Sequence, residues 1–175
     1  MLYLYPDILT KKHLERLTKL EKFIPYFDLP LQHASAKLLK AMGRFYNHEM
    51  TLELLDFIKQ RFPERFVRTN FIIGFPGETE EDFQLLMDFI RQDWFDNVAL
   101  FEYHDEPLAP SSKLPNKVDE KTIRTRFLQA KKLVNELQNV SKRRKRKNLN
   151  DFRYLAGYSR ELEIYRSSFS PLSRD

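Results

Sequence analysis

Residues 2–5 form a short apolar, β-favouring run closed by Pro6, and residues 11–23 then carry Leu14, Leu17 and Leu20, with Ile24 following, at helical spacing. The pattern predicts a strand followed by a helix. Residues 26–31 repeat the strand signal, Ser35 stands where it can cap a helix over residues 36–42, and residues 51–62 present Leu52, Leu55, Phe57 and Ile58 as a helical stripe. Residues 66–73 are β-branched and aromatic without convincing alternation, which predicts a strand covered on both faces and ended by the turn Gly74-Phe-Pro-Gly77. Thr79, with Asp82 three residues on, marks the start of a helix expected to run to Asp93. Glu80, Glu81 and Asp82 place negative charge at its positive end, and Phe83, Leu86, Met87 and Ile90 form its buried stripe. A fourth strand follows at residues 97–103, then a loop with Pro107, Pro110 and Pro115, then a charged amphipathic helix from about residue 120 to residue 140.

Strands alternating with helices predict an α/β fold of βαβ units with parallel strands. A closed eight-unit barrel needs about 250 residues, and a doubly wound sheet usually shows a Gly-rich first turn. Neither signature is present. About four units make half of a larger structure, and a strand at residue 2 predicts that the other half precedes it.

Composition narrows the functional classes. With 42% hydrophobic and 31% charged residues, 15 Phe and only 4 Gly, the chain is expected to be globular rather than membrane-spanning, collagenous or disordered. No apolar run approaches the roughly 18 to 20 residues of a membrane span, and the apolar start is too short for a signal peptide, so the expected address is the cytoplasm. Cysteine is absent, which removes disulfides, thiolate nucleophiles and thiolate-held iron–sulfur clusters. The net charge of +5 belongs to the tail: residues 141–175 hold ten Lys or Arg against four Asp or Glu. The expected domains are therefore residues 1–140 and a basic tail, residues 141–175. Within that tail six adjacent cations, from Lys142 to Lys147, either attract phosphate as an RNA contact or form a solvated run.

In parallel α/β folds chemistry sits beyond the carboxyl ends of the strands. The residues there are polar: Gln32, His33 and Ser35; Arg68, Asn70, Gly74, Gly77 and Glu78; Glu102, His104, Asp105 and Glu106. One rim is expected to collect them. His13 and His48, set among charged residues, are expected at the surface. His33 and His104 have no local ligand pair, so no metal site is expected. Gly74-Phe75-Pro76-Gly77 reads by itself as a tight turn. At the carboxyl edge it would also admit a small polar ligand, because it lacks bulk and the following helix start offers free N–H groups.

These strand ends belong to longer motifs. Pro25-Tyr-Phe-Asp-Leu-Pro-Leu-Gln-His-Ala-Ser35, Leu39-Lys-Ala-Met-Gly-Arg44 and Arg68-Thr-Asn-Phe-Ile-Ile-Gly-Phe-Pro-Gly-Glu-Thr-Glu-Glu-Asp-Phe83 resemble the radical S-adenosylmethionine (SAM) methylthiotransferases. Phe101-Glu-Tyr103 and Leu114-Pro-Asn-Lys-Val118 continue the resemblance, which extends to about residue 140. Gln32-His-Ala-Ser35 and Arg68-Thr69 resemble the RimO type, which modifies an aspartate of a small-subunit ribosomal protein, more than the type that modifies tRNA. The resemblance implies the C-terminal half of a partial (β/α)6 TIM-like barrel, with SAM as cofactor and iron–sulfur clusters held by cysteines elsewhere. The implied partners are a cysteine-bearing N-terminal half and a ribosomal substrate. It implies SAM contacts from Gln32, Arg44, Asn70, Gly74, Phe75 and Gly77, and a substrate side with His33, Arg68, Glu102 and His104. It implies no catalytic residue in this chain. Arg44 also stands where it can simply answer a helix C-terminus, and residues 157–164 weakly resemble the start of the family's TRAM domain. Without cysteines the chain is expected to be silent alone. The alternatives are part of a tRNA methylthiotransferase or a non-catalytic ribosome- or RNA-binding module.

Overall fold

The computed structural model describes residues 4–148 apart from 22 and 93, with side chains described to residue 138. The chain divides into Met1–Gln138 and Asn139–Asp175, and the architecture below is that of the first unit. The described elements in chain order are α1 (Lys11–Leu17), β1 (Tyr26–Gln32), α2 (Ala36–Ala41), α3 (His48–Arg61), β2 (Phe66–Ile73), α4 (Glu80–Arg91), β3 (Asn97–Glu102), a 3-10 turn (Pro110–Lys113) and α5 (Glu120–Asn148), which begins in the first unit and ends beyond it. The three strands form one parallel sheet in the order β1-β2-β3.

Four strands were expected, and the described sheet has three. Residues 1–3 lie outside the described residues, and Leu4 and Tyr5 are not in a strand. The Leu4 N–H nevertheless donates to the Asp28 carbonyl at 2.8 Å, as a neighbouring strand would. Pro6, which has no N–H to offer a ladder, opens a turn directly afterwards.

Strand β2 corrects a second expectation. Its burial alternates strictly: Val67, Thr69, Phe71 and Ile73 are buried, while Phe66, Arg68, Asn70 and Ile72 are half-buried. One face is packed and the other is partly open, as the polar Arg68 and Asn70 at alternate positions require. The packed face meets Phe83, Leu86, Phe89 and Ile90 of α4 and Leu55 and Ile58 of α3 in one core. Within it Phe71, Phe89 and Phe95 meet edge to face, with ring centres 5.2 to 6.0 Å apart, the geometry that aromatic quadrupoles favour.

Helix ends follow local chemistry. Thr79 and Asp82 form the expected capping box of α4. Helix α3 starts at His48, earlier than its apolar stripe, because the Asn47 side chain accepts the Met50 N–H at 2.9 Å. His13 is exposed as expected, but His48 is half-buried, with its ring edge-on to Phe89. Helix α5 passes its expected end and runs through residues 142–147 to Asn148, since Lys and Arg are good helix formers and no Gly or Pro interrupts them. The side chains of that cationic run, and residues 157–164, lie outside the described residues. No described helix is long and apolar enough to cross a membrane.

Candidate functional site

At the carboxyl end of β1 the register with β2 slips between Leu29 and Gln32. The His33 N–H donates to the Leu31 carbonyl at 2.6 Å, so Gln32 is the central residue of a three-residue turn and has φ +62°. That sign of φ in a one-step turn is rare for a residue with a side chain and persists only where the surroundings hold it. Gln32 stands opposite Phe71 of β2, close in sequence to Asn70 on the half-open face.

The residues following this turn are woven into the start of α4. His33 is buried; its Nδ1 accepts the Ser35 N–H at 3.0 Å, which leaves Nε2 as the protonated nitrogen of the neutral ring, 3.5 Å from Glu78 Oε2. The fully buried Glu78 carboxylate accepts from the Gly74 N–H at 2.8 Å and from Arg126 of α5 at 2.9 Å. Arg126 also donates to the Glu78 carbonyl and to Glu80. Ser35 occupies the N-cap position of α2, as expected, but its hydroxyl donates to Asp82 Oδ1 at 2.7 Å instead of capping the helix. Lys37 pairs with Asp82 and donates to the Gly77 carbonyl.

Burial works against the charge of Asp82, yet hydrogen bonds from Lys37, the Thr79 backbone, Ser35 and the Thr79 hydroxyl outweigh it and hold this carboxyl well below the usual range. A depressed folded-state pKa contributes stability that is present above the unfolded value and is lost as pH falls through the folded one. Asp82→Asn is therefore expected to lower the unfolding midpoint at pH 7, with the difference from wild type shrinking as pH falls below about 4. Urea unfolding across that range reads it; a pH-independent difference would refute the linkage.

The two glycines of the turn differ in the space beside them. A Cβ on Gly74 (φ +83°) would lie 2.3 Å from Ile123 Cγ1, so α5 fills the space that this glycine leaves. Gly77 (φ +87°) has nothing within 4 Å of the same position. The N–H groups of Gly74, Gly77, Glu78, Thr79 and Asp82 are already bonded within the chain, so the free donors expected at the turn are largely consumed. Phe75 is buried, edge-on to Tyr103.

The remaining candidates scatter. Arg68 lies on the half-open face and donates to both oxygens of Asp28, its register partner on β1. Arg44 stacks over Tyr5, beside the start of the chain, with its Nε buried and without a hydrogen-bond partner. Glu102 pairs with Arg124 of α5, and His104 is exposed in the loop after β3. The structure thus gathers Gln32, His33, Gly74 and Glu78 at adjoining strand ends, and these contacts do not extend to Arg44 or His104. Sequence reasoning missed Arg126, Lys37 and the tie from Ser35 to Asp82. Arg126 did leave a signal: it interrupts the buried stripe Ile123, Ala130 and Val134 of α5, and a cation on an apolar stripe implies a buried counter-charge.

The family profile of the radical SAM superfamily matches residues 3–90, half of the chain. The protein named ribosomal protein uS12 methylthiotransferase RimO in Pseudothermotoga lettingae is 44% identical over 127 residues, and its namesake in Chlamydia pneumoniae is 38% identical over 144. These alignments cover 73% and 81% of this chain but 30% of each relative, so the chain spans less than a third of their length. Among solved structures, coproporphyrinogen III oxidase (HemN) from Escherichia coli, described as a radical SAM enzyme, superposes with a TM-score of 0.61 at 18% identity. The match covers 73% of this chain and 29% of that one, and it shows the fold. The three-stranded parallel sheet thus resembles part of the radical SAM fold, and the chain belongs to the radical SAM superfamily and is RimO-like over the matched residues.

Proposed function

We propose that this chain forms part of the wall of a RimO-type methylthiotransferase barrel, against which SAM and an aspartate of a small-subunit ribosomal protein are held. The observation that carries this reading is the 38 to 44% identity, over most of the chain, with proteins named uS12 methylthiotransferases. The work is placed in the cytoplasm, with the ribosome, and the cationic run from Lys142 to Lys147 adds attraction toward a phosphate-rich partner.

The two cofactors of this chemistry fare differently. An iron–sulfur cluster does not fit, because the chain has no thiolate to hold one. Its ligands come from outside these 175 residues, and the chain alone does not cleave SAM. For SAM the chain does carry suitable groups. The buried, unpartnered Nε of Arg44 and the open space at Gly77 are what a carboxylate and a closely approaching nucleoside require. Arg44 holds the methionine carboxylate, the amides of Gln32 and Asn70 meet the amino-acid end or the ribose hydroxyls, and Gly77 leaves room for the adenosine. SAM supplies a sulfonium with a transferable methyl group. The chain's own residues bind and orient it.

The test is to assemble this chain with a cysteine-bearing N-terminal half, reconstitute iron and sulfide anaerobically, and measure 5′-deoxyadenosine. The assembly is expected to cleave SAM and the chain alone to yield none. Arg44→Ala and Gln32→Ala are each expected to weaken SAM binding about tenfold, the value of one charge-assisted or well-made hydrogen bond. A folded complex that cleaves no SAM overturns the reading, and unchanged affinity in both variants overturns the residue assignment.

A further inference from the structure

The turn at Gln32 has a second anchor that neither the resemblance nor the proposed binding role includes. Tyr46, in the segment between α2 and α3, is 4% exposed, and its hydroxyl donates to the Leu31 carbonyl at 2.8 Å. That same carbonyl accepts the His33 N–H at 2.6 Å, closing the turn around Gln32. The His33 ring in turn is held by the Ser35 N–H. One acceptor, on the residue before the strained one, therefore serves both donors. We propose that Tyr46 is a positioning residue: by fixing the Leu31 carbonyl it keeps Gln32 in the left-handed backbone conformation that presents its amide at the carboxyl edge of the sheet. The inference rests on the reading that Gln32 contacts SAM.

Three observations support the mechanism. A left-handed backbone is unfavourable for glutamine, so the conformation needs an external hold. The Tyr46 hydroxyl sits at the carbonyl that closes the turn, at 2.8 Å, with the Pro30 carbonyl farther away at 3.4 Å. Burial, countered in part by Arg44, pushes its ionisation above the ordinary phenol value, which favours the protonated, donating form.

The experiment uses the full chain for the spectroscopy and its assembly with the cysteine-bearing half for binding, with SAM as the probe. In Tyr46→Phe, the Gln32 three-bond HN–Hα coupling and Cα shift are expected to leave the left-handed range, and exchange of the His33 amide is expected to accelerate. The Phe71 and Ile73 amides are expected to stay protected. SAM affinity is expected to fall about fivefold, a typical value for one lost hydrogen bond. In the Gln32→Ala background the same change is expected to have no further effect on binding, because Tyr46 acts through Gln32. A Gln32 that stays left-handed in Tyr46→Phe overturns the proposal, and so do fully additive binding losses. If Tyr46→Phe does not fold, adding Gln32→Gly is expected to restore folding, since glycine adopts this conformation unaided; failure to restore it is a refutation. A wild-type assembly that binds no SAM overturns the site reading and the ligand half of this inference together, while the coupling and exchange data judge the hold on the turn separately.

Discussion

Arg126→Met is expected to destabilise the fold by about 3 to 5 kcal/mol, the usual cost of removing one partner from a buried ion pair. The size follows from what is left behind. The Arg126 side chain is 10% exposed and that of Glu78 is not exposed at all, so the carboxylate would lose its counter-charge without gaining water. It would keep only the Gly74 N–H and the distant His33 Nε2. Methionine retains the apolar stem of the arginine, which isolates the charge from the packing over Phe83. The cation also bridges to Glu80 and to the Glu78 carbonyl, so its removal frees the first turn of α4 from α5. Adding Glu78→Gln should return a large part of the loss, because no charge then remains buried. Urea unfolding of the single and double variants measures both quantities. A loss below about 1 kcal/mol for Arg126→Met would place the pair with weak surface bridges and deny it the role of joining helix to turn.

How much of this site was legible beforehand depends on how far apart its causes lie in the chain. The Thr79 to Asp82 cap is local, three residues apart, and it formed as read. Ser35 stands at the N-cap position that its type favours, but a carboxylate 47 residues away offers its hydroxyl a stronger partner than the helix start does. The partly open face of β2 was written in Arg68 and Asn70, and the aromatic and β-branched content around them masked the period of two. Residue type gives no sign that Gln32 has a positive φ, because the hold comes from Tyr46, outside its strand. His48 sits among polar residues in sequence, yet helix packing turns its ring onto Phe89. Helix α5 outlasted its apolar stripe because propensity alone sustains a helix rich in Lys and Arg. Local chemistry was readable, and long-range contacts decided what each polar side chain does.

Gly74→Ala is expected to cost roughly 2 to 5 kcal/mol, the sum of a left-handed backbone penalty of about 1 to 2 and an overpacking penalty of about 1 to 3. The two parts can be separated within the same turn. Gly77 has a nearly equal φ, +87° against +83°, but a Cβ there meets nothing within 4 Å, whereas at Gly74 it meets Ile123 Cγ1 at 2.3 Å. Gly77→Ala therefore measures the backbone part, and the excess at Gly74 measures the seating of α5 against the turn. Ile123→Ala supplies the cross-check: alone it opens a cavity and destabilises, but combined with Gly74→Ala it should cost less than the two separately, because each change makes room for the other. Thermal or urea unfolding of the four variants gives all the terms. Equal losses at Gly74 and Gly77, with additive behaviour of the Gly74 and Ile123 pair, would mean that α5 does not rest on this turn. The glycine would then be there for the turn alone, and the space beside it would be open to a ligand after all.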